Sequence, residues 1–122
     1  MQMIVIREPT PSLNVILRKF KHPQARKCEQ IRWDWLVRAE WQKVPTVTCC
    51  EITVTRHSAQ FLDWDNMGAS LKFLMDALVH NGVIEDDNPS VVMRLHLEQR
   101  KSTRKLARTE IEIVPLAREL ER

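Results

Sequence analysis

The spacing of apolar residues changes period along the chain, and this change most constrains the fold. Between residues 67 and 80, apolar side chains recur at intervals of three and four residues, which indicates a helix with one buried face. Between residues 91 and 98, apolar and polar side chains alternate, as in a strand with one buried side. Both periods in one short chain predict a sheet with helices packed against it.

The other segments extend this pattern to a β-α-β-α-β-β order. Strands are predicted over residues 1–6, 46–56, 91–98 and 109–113, and helices over residues 23–42 and 67–80. Residues 13–20 suit either a helix or an extended segment, and residues 115–122 read as a short amphipathic tail. In the first helix, the apolar stripe is predicted to contain Cys28, Ile31, Trp35 and Ala39, and Trp33, Leu36 and Trp41 are predicted to widen its apolar face. We therefore predict an α+β fold, with residues 1–122 forming one compact domain whose helices pack mainly on one face of a mixed sheet.

Composition is that of an ordinary globular protein. Apolar residues make up 43% and charged residues 29%, which argues against wholesale disorder. No stretch approaches the roughly 20 consecutive apolar residues of a membrane span, and no signal-peptide pattern opens the chain. Three cysteines without a C-x-x-C spacing argue against a disulfide framework or a four-cysteine zinc site. We expect a cytoplasmic protein that does not bind membranes.

Basic residues are concentrated in two segments. The net charge is only +3, but more than half of the 19 lysines and arginines lie between residues 18 and 27 or between residues 94 and 108. Such clusters are typical of proteins that bind the phosphate backbone of nucleic acids, although solvated loops carry them as well. The candidate DNA contacts in these segments are Arg18, Lys19, Lys21, Arg100, Lys101, Arg104 and Lys105.

Acidic residues stand at both ends of the predicted helix 67–80. Asp63 and Asp65 precede it, and on extended backbone residues two apart project from the same face. Residues 85–87, Glu-Asp-Asp, follow it. Carboxylates brought together repel one another unless a cation neutralises them, and oxygen-only ligands favour Mg²⁺ or Mn²⁺, which can activate water for attack on a phosphodiester. Acids in turns and helix caps are the alternative interpretation.

Lys72 lies two helical turns beyond Asp65. The helix rises about 10 Å over that span and its side chains lean toward the N-terminus, so the ammonium could reach a phosphate held by the carboxylates. The alternative is an exposed lysine paired with Asp76 at i+4. The sequence contains no glycine-rich phosphate loop, serine-nucleophile motif or histidine pair at metal-ligand spacing.

Several spaced motifs together resemble the signature of RusA-type Holliday junction resolvases. That signature is D-x-D-N opening a helix, a lysine within it, D-A-L near its end and a G-x-x-x-D-D turn. Here residues 63–66 read DWDN, Lys72 is followed by DAL at residues 76–78, and residues 82–87 read GVIEDD. Residues 11–14, PSLN, resemble the P-S-x-N element that follows the family's first strand.

The resemblance implies an activity. RusA-type resolvases are small dimeric endonucleases, often prophage-borne, that cut branched DNA in recombination and repair. It therefore implies a metal-dependent endonuclease that acts on Holliday junctions or related branches, with Mg²⁺ or Mn²⁺ as the cofactor and a homodimer as the working unit. A non-catalytic DNA-binding protein with a vestigial acidic site is the alternative, and an interaction module that uses the tryptophan-rich helix is a third possibility.

The resemblance also implies roles for individual residues. The metal-binding catalytic acids of the family match three aspartates here: Asp63, Asp65 and Asp87. Asp86 is the alternative for the third acid. Lys72 matches the catalytic lysine, because its distance to the aspartate of D-A-L is kept, and Asn14 of the P-S-x-N element joins the candidate DNA contacts. Two features depart from the family: the interval before Lys72 is longer, and residues 59–62, Ala-Gln-Phe-Leu, stand where arginines are expected.

Overall fold

A mixed four-stranded sheet carries helices mainly over one side. The computed structural model describes residues 1–117. The elements follow in this order: β1 (Gln2–Ile6), α1 (Leu13–Lys19), α2 (Pro23–Glu40), β2 (Cys50–Ser58), α3 (Trp64–Ala69), α4 (Lys72–His80), β3 (Val92–Lys101), a 3₁₀ helix (Arg104–Leu106) and β4 (Arg108–Pro115). The strands lie in the order β1-β4-β2-β3, where β4 is antiparallel to both neighbours and β2 and β3 are parallel.

The predicted α+β class and β-α-β-α-β-β order are confirmed, with the short helix α1 added in the segment left open. β2 begins at Cys50, later than predicted, because Val47 pairs elsewhere. The Val47 amide donates to the carbonyl of Val83 at 3.1 Å, and its carbonyl accepts from the amide of Glu85 at 2.9 Å. β3 continues beyond its predicted end to Lys101. Residues 118–122 of the predicted tail lie outside the described residues.

The region predicted as one helix over residues 67–80 belongs to two helices, because the helix is interrupted at Ser70. The Ser70 hydroxyl donates to the carbonyl of Met67 at 2.7 Å, and its oxygen lies 2.8 Å from the hydroxyl oxygen of Thr10. The Leu71 amide bonds the carbonyl three residues back, in Gly68, at 3.2 Å. A serine that bonds the preceding turn competes with the regular helical ladder, so α3 ends at Ala69 and α4 begins at Lys72.

The core lies between the helices and one face of the sheet. Alternate residues of each inner strand point into it, which confirms that the helices pack mainly on one face. Burying one valine, leucine or isoleucine side chain in this core stabilises the fold by about 1.5–3 kcal/mol. The fully buried core includes Ile4, Ile52, Val54, Leu74, Leu78, Ile111 and Ile113.

The buried face of α2 is only partly the predicted one, because Trp33, which was expected to widen the apolar face, belongs to it and Trp35 does not. Trp35 is 63% exposed, whereas Trp33 and Val37 are fully buried. Glu29 stands on the buried stripe, where it accepts a hydrogen bond from the indole nitrogen of Trp33 at 3.0 Å and pairs with Arg32 at 2.6 Å. Because these partners compensate its charge, a glutamate occupies a core-facing position that apolar periodicity does not reveal.

The opposite face of the sheet is polar. Glu110 on β4 accepts a hydrogen bond from Nε of Arg108 at 2.8 Å, and Nε2 of His57 lies 3.1 Å from its other oxygen. These two partners hold the pKa of the Glu110 carboxyl below its ordinary value. Within residues 1–117, no helix is both long enough and apolar enough to cross a membrane.

Candidate active site

Asp63 and Asp65 stand exposed at the start of α3. Asp63 is the residue before the helix and has extended backbone, with φ −60° and ψ 154°. Asp65 already lies in the first helical turn, and its Oδ1 accepts from the amide of Asn66 at 3.1 Å. The prediction that both carboxylates leave an extended segment on one face is therefore wrong, because the helix begins at Trp64 instead of Met67.

A glutamine on the edge strand β3 fixes the loop that leads to Asp63. The Gln99 side-chain amide donates to the carbonyl of Leu62 at 2.8 Å, and its oxygen accepts from the Leu62 amide at 2.7 Å. This reciprocal pair imitates the main-chain pairing of a further strand. Asp63 is therefore held close to the Gln99 end of β3.

Lys72 and Asp87 line one cavity of about 380 Å³ between α3, α4 and β3. Asp76, Met75 and Leu95 form part of the same wall. The ammonium of Lys72 lies 2.9 Å from Oδ2 of Asp76, which is the i+4 pair that the sequence offered as the alternative. An exposed i,i+4 pair contributes only about 0.3–0.5 kcal/mol, so a phosphate oxygen can displace Asp76 from Lys72.

The carboxylates of Asp86 and Asp87 differ in their hydrogen bonds and in their position relative to the cavity. Oδ1 of Asp86 accepts from the amide of Asp87 at 2.7 Å, and its Oδ2 accepts from the side-chain amide of Asn88 at 3.0 Å. Asp87 instead lines the cavity of Lys72. The turn that brings it there starts at Gly82, whose φ of 74° is a left-handed value that favours glycine. This arrangement favours Asp87 over Asp86 as the third acid.

The three predicted metal ligands do not form one group in this structure. Leu62, which precedes Asp63, pairs with Gln99, whereas Asp87 shares its cavity with Leu95, and the four residues of strand from Leu95 to Gln99 span about 13 Å. Within residues 1–117, no group of three His, Cys, Asp or Glu side chains is arranged to hold a metal ion. Carboxylate oxygens suit Mg²⁺ or Mn²⁺ in kind. Their arrangement, however, does not form a three-carboxylate site.

The predicted DNA contacts on β3 leave the strand on opposite faces. Lys101 lies on the side of the helices, where its ammonium donates to the carbonyl of Ala59 at 3.3 Å and lies 4.6 Å from the ring centroid of Phe61. Arg100 lies on the polar face, with its guanidinium 3.6 Å from the carboxylate of Glu98. Only Lys101 is therefore beside the loop that leads to the acids.

The other predicted DNA contacts are exposed residues near the same end of the sheet. Arg104 lines a second cavity together with Leu62, and Lys105 follows it in the 3₁₀ helix. Three of the remaining contacts lie on α1, which packs against α3: Asn14, Arg18 and Lys19. The fourth, Lys21, lies between α1 and α2.

Arg56 is a functional candidate that the sequence reasoning missed. It is only 7% exposed, and its Nε and Nη1 donate to the carbonyls of Thr10 at 2.9 Å and Gln60 at 3.3 Å. Burial lowers the pKa of its guanidinium. The alternation of Ile52, Val54 and Arg56 along β2 is the signal that could have found it, because it directs the arginine inward.

Comparison with protein-family models and with curated proteins finds no match for this chain. The likeness to RusA-type resolvases therefore stays a prediction drawn from the motifs, their order and the positions described above.

Proposed function

We propose that this protein is an endonuclease that binds branched DNA along the α3 and β3 side of its sheet and cuts it. The observation that carries the proposal is the shared cavity of Lys72 and Asp87. Its wall also contains Asp76 and the C-terminal end of α3, the helix that Asp63 and Asp65 open. Two motif elements, Lys72 with Asp76 and the turn that carries Asp87, thus meet around one cavity, which supports a shared role in a nucleolytic site.

The proposed chemistry is phosphodiester hydrolysis that depends on Mg²⁺ or Mn²⁺, as the resemblance implies. Lys72 is the side chain whose role follows most directly from its position. Its ammonium would leave Asp76 and donate to a non-bridging oxygen of the scissile phosphate, where negative charge grows in the transition state. The carboxylates of Asp63, Asp65 and Asp87 are the proposed oxygen ligands, and they would have to approach one another when the cation and the DNA bind.

The basic residues beside the acids support binding of a nucleic acid backbone. Lys101 contacts the loop that precedes Asp63, and Arg104 lines a cavity against the same loop. Cations in these positions attract phosphates whatever the base sequence. A protein that recognises DNA by its branched shape needs contacts of this sequence-independent kind.

The proposed working unit is a homodimer. A four-way junction has near two-fold symmetry and is resolved by cuts on two opposed strands, so two identical subunits match it. The chain has apolar surface for such contact on α2, where Ile31 and Trp35 are 47% and 63% exposed.

A non-catalytic DNA-binding protein is the second candidate. It is favoured by the separation of the acids along β3 and by the pairing of Lys72 with Asp76. The variant Asp87→Asn separates the two proposals. An endonuclease should lose strand cleavage and keep DNA binding, whereas Glu85→Gln, which removes a neighbouring exposed carboxylate, should still cut. A protein that binds DNA but never cuts it would support the second candidate.

A further inference from the structure

We propose that the cavity around Arg56 binds one phosphate group of the DNA strand, directly beside the loop that carries Asp63. This cavity is distinct from that of Lys72 and has a volume of about 440 Å³. Arg56, Arg104, Ser12 and Ser58 supply its polar lining. The inference rests on the proposed function, because it takes a DNA strand as the source of the phosphate.

Arg56 is a buried cation without a counter-ion. Among residues 1–117, its guanidinium contacts only two backbone carbonyls, those of Thr10 and Gln60. A guanidinium has five N–H donors, so these bonds leave donors at Nη1 and Nη2 to serve a ligand. Buried charges in proteins are normally paired, because taking a charge out of water is costly. An oxyanion in the cavity would supply the missing opposite charge.

The surroundings make the cavity selective for anions. None of the residues that line it is acidic. Two acids are adjacent in the sequence to lining residues, Glu8 before Pro9 and Asp63 after Leu62. Glu8 pairs with Arg32, whose two terminal nitrogens lie 2.6 and 2.7 Å from its oxygens. Arg104 adds a second positive charge, and its side chain makes no hydrogen bond to any residue within 1–117. Two arginines and two hydroxyls, with no carboxylate, match a phosphate oxyanion.

The position of the cavity links it to the predicted acids. Gln60 and Leu62 line it, and Asp63 follows Leu62 directly. A phosphate held by Arg56 and Arg104 would thus lie within one or two nucleotides of a phosphate at the acidic residues. Binding of this phosphate would fix which nucleotide of the DNA strand lies at the acidic residues. Arg56 would then have two roles: it connects the loops of Thr10 and Gln60 by donating to their carbonyls, and it would bind the phosphate between them.

The first experiment titrates the full-length protein with inorganic phosphate and follows the arginine Nε–Hε signals by ¹⁵N NMR. We expect a saturable shift of the Arg56 signal, assigned with Arg56→Lys. Arg104→Ala should weaken the affinity roughly tenfold, as for the loss of one charged hydrogen bond. Lys43→Ala removes one positive charge from an exposed residue outside the cavity and outside the predicted DNA contacts, so it should change the affinity by less than about twofold. No saturable shift, or equal losses in both alanine variants, would overturn the proposal.

The second experiment distinguishes a DNA phosphate from free phosphate. Methylphosphonate linkages, which remove the charge of one phosphate, are introduced singly along a strand of a four-way junction. Wild-type affinity should fall at one position, and Arg104→Ala should show little further loss there, because the phosphate charge that Arg104 would meet is already absent. Equal losses at every position in both proteins would contradict the DNA source. Position-specific coupling without strand cleavage would refute the endonuclease proposal alone and leave the phosphate site standing.

Discussion

The ammonium nitrogen of Lys72 lies 2.9 Å from Oδ2 of Asp76, one turn further along α4. The Lys72 side chain is 71% exposed, so this is a surface ion pair of little strength. Asp87 lines the same cavity. The ion pair with Asp76 thus holds Lys72 in the cavity of Asp87, and a phosphate group can replace Asp76 in that pair.

Lys72→Ala should lower the rate of DNA cleavage by roughly 10²–10³ at saturating metal, because it removes one donor that stabilises charge at the scissile phosphate. Junction affinity should change far less. The measurement is single-turnover cleavage of a labelled four-way junction. Lys27→Ala, which removes an exposed lysine from α2, is the matched control. Normal turnover in the Lys72 variant would show that the ammonium stays with Asp76.

Lys101→Ala should weaken binding to every DNA shape, since Lys101 lies on the side of the acids. The plot of log affinity against log salt should flatten by about 0.9 for each phosphate that the protein no longer neutralises. Arg100→Ala changes the same charge one residue earlier on the opposite face of β3, so its salt slope should stay closer to that of the wild type. Equal slopes for the two variants would contradict binding along the α3 and β3 side.

Glu110→Gln should destabilise the protein at neutral pH by up to about 1 kcal/mol, because it removes a carboxylate that pairs with Arg108 and faces His57. The pKa of Glu110 is lowered on folding, so its contribution is complete above the ordinary value of 4.5 and is lost as the pH falls through the lowered value. Urea unfolding at pH 7 and in strong acid measures both limits. Glu112→Gln, on the same strand and face, is the control, and a pH-independent difference for Glu110→Gln would refute the assignment.

Sedimentation equilibrium at micromolar concentration should give about twice the chain mass of 14.4 kDa. The two-fold symmetry of a four-way junction is the reason, and the exposed apolar residues of α2 offer the surface. A clean monomer that still resolves junctions by paired cuts would overturn the symmetry argument.

The sequence predicted those parts of the fold that local periodicity controls. The alternation in β4 is confirmed, because it depends on neighbouring residues alone. In β3 the strand forms, but Met93 and Leu95 of its predicted buried side are 47% and 44% exposed. The break at Ser70 escaped prediction, since it depends on a hydroxyl contact with Thr10 at the other end of the chain. The position of Glu29 on the buried face of α2 was not predicted for a similar reason, because a glutamate is stable there only when it bonds Trp33 and Arg32.

The sequence identified the motif residues of the candidate site but not their spatial relations. It offered the pair of Lys72 with Asp76 as one alternative, and that pair is present. It could not foresee that the loop before Asp63 would pair with Gln99, because that contact joins segments far apart in the sequence. Arg56 was missed because a charge at an inward strand position looks like an exception until its carbonyl partners are known.

Strand cleavage of labelled four-way, forked and linear DNA, with Mg²⁺ and with EDTA, tests the endonuclease proposal most directly. Wild-type protein should cut the branched substrates only in the presence of the metal and leave the linear duplex intact. Asp87→Asn should bind the junction with equal or greater affinity and not cut it, because it removes negative charge facing phosphate, while Glu85→Gln should cut normally. Junction binding without cleavage under any metal condition, or full activity of Asp87→Asn, would contradict the proposed function.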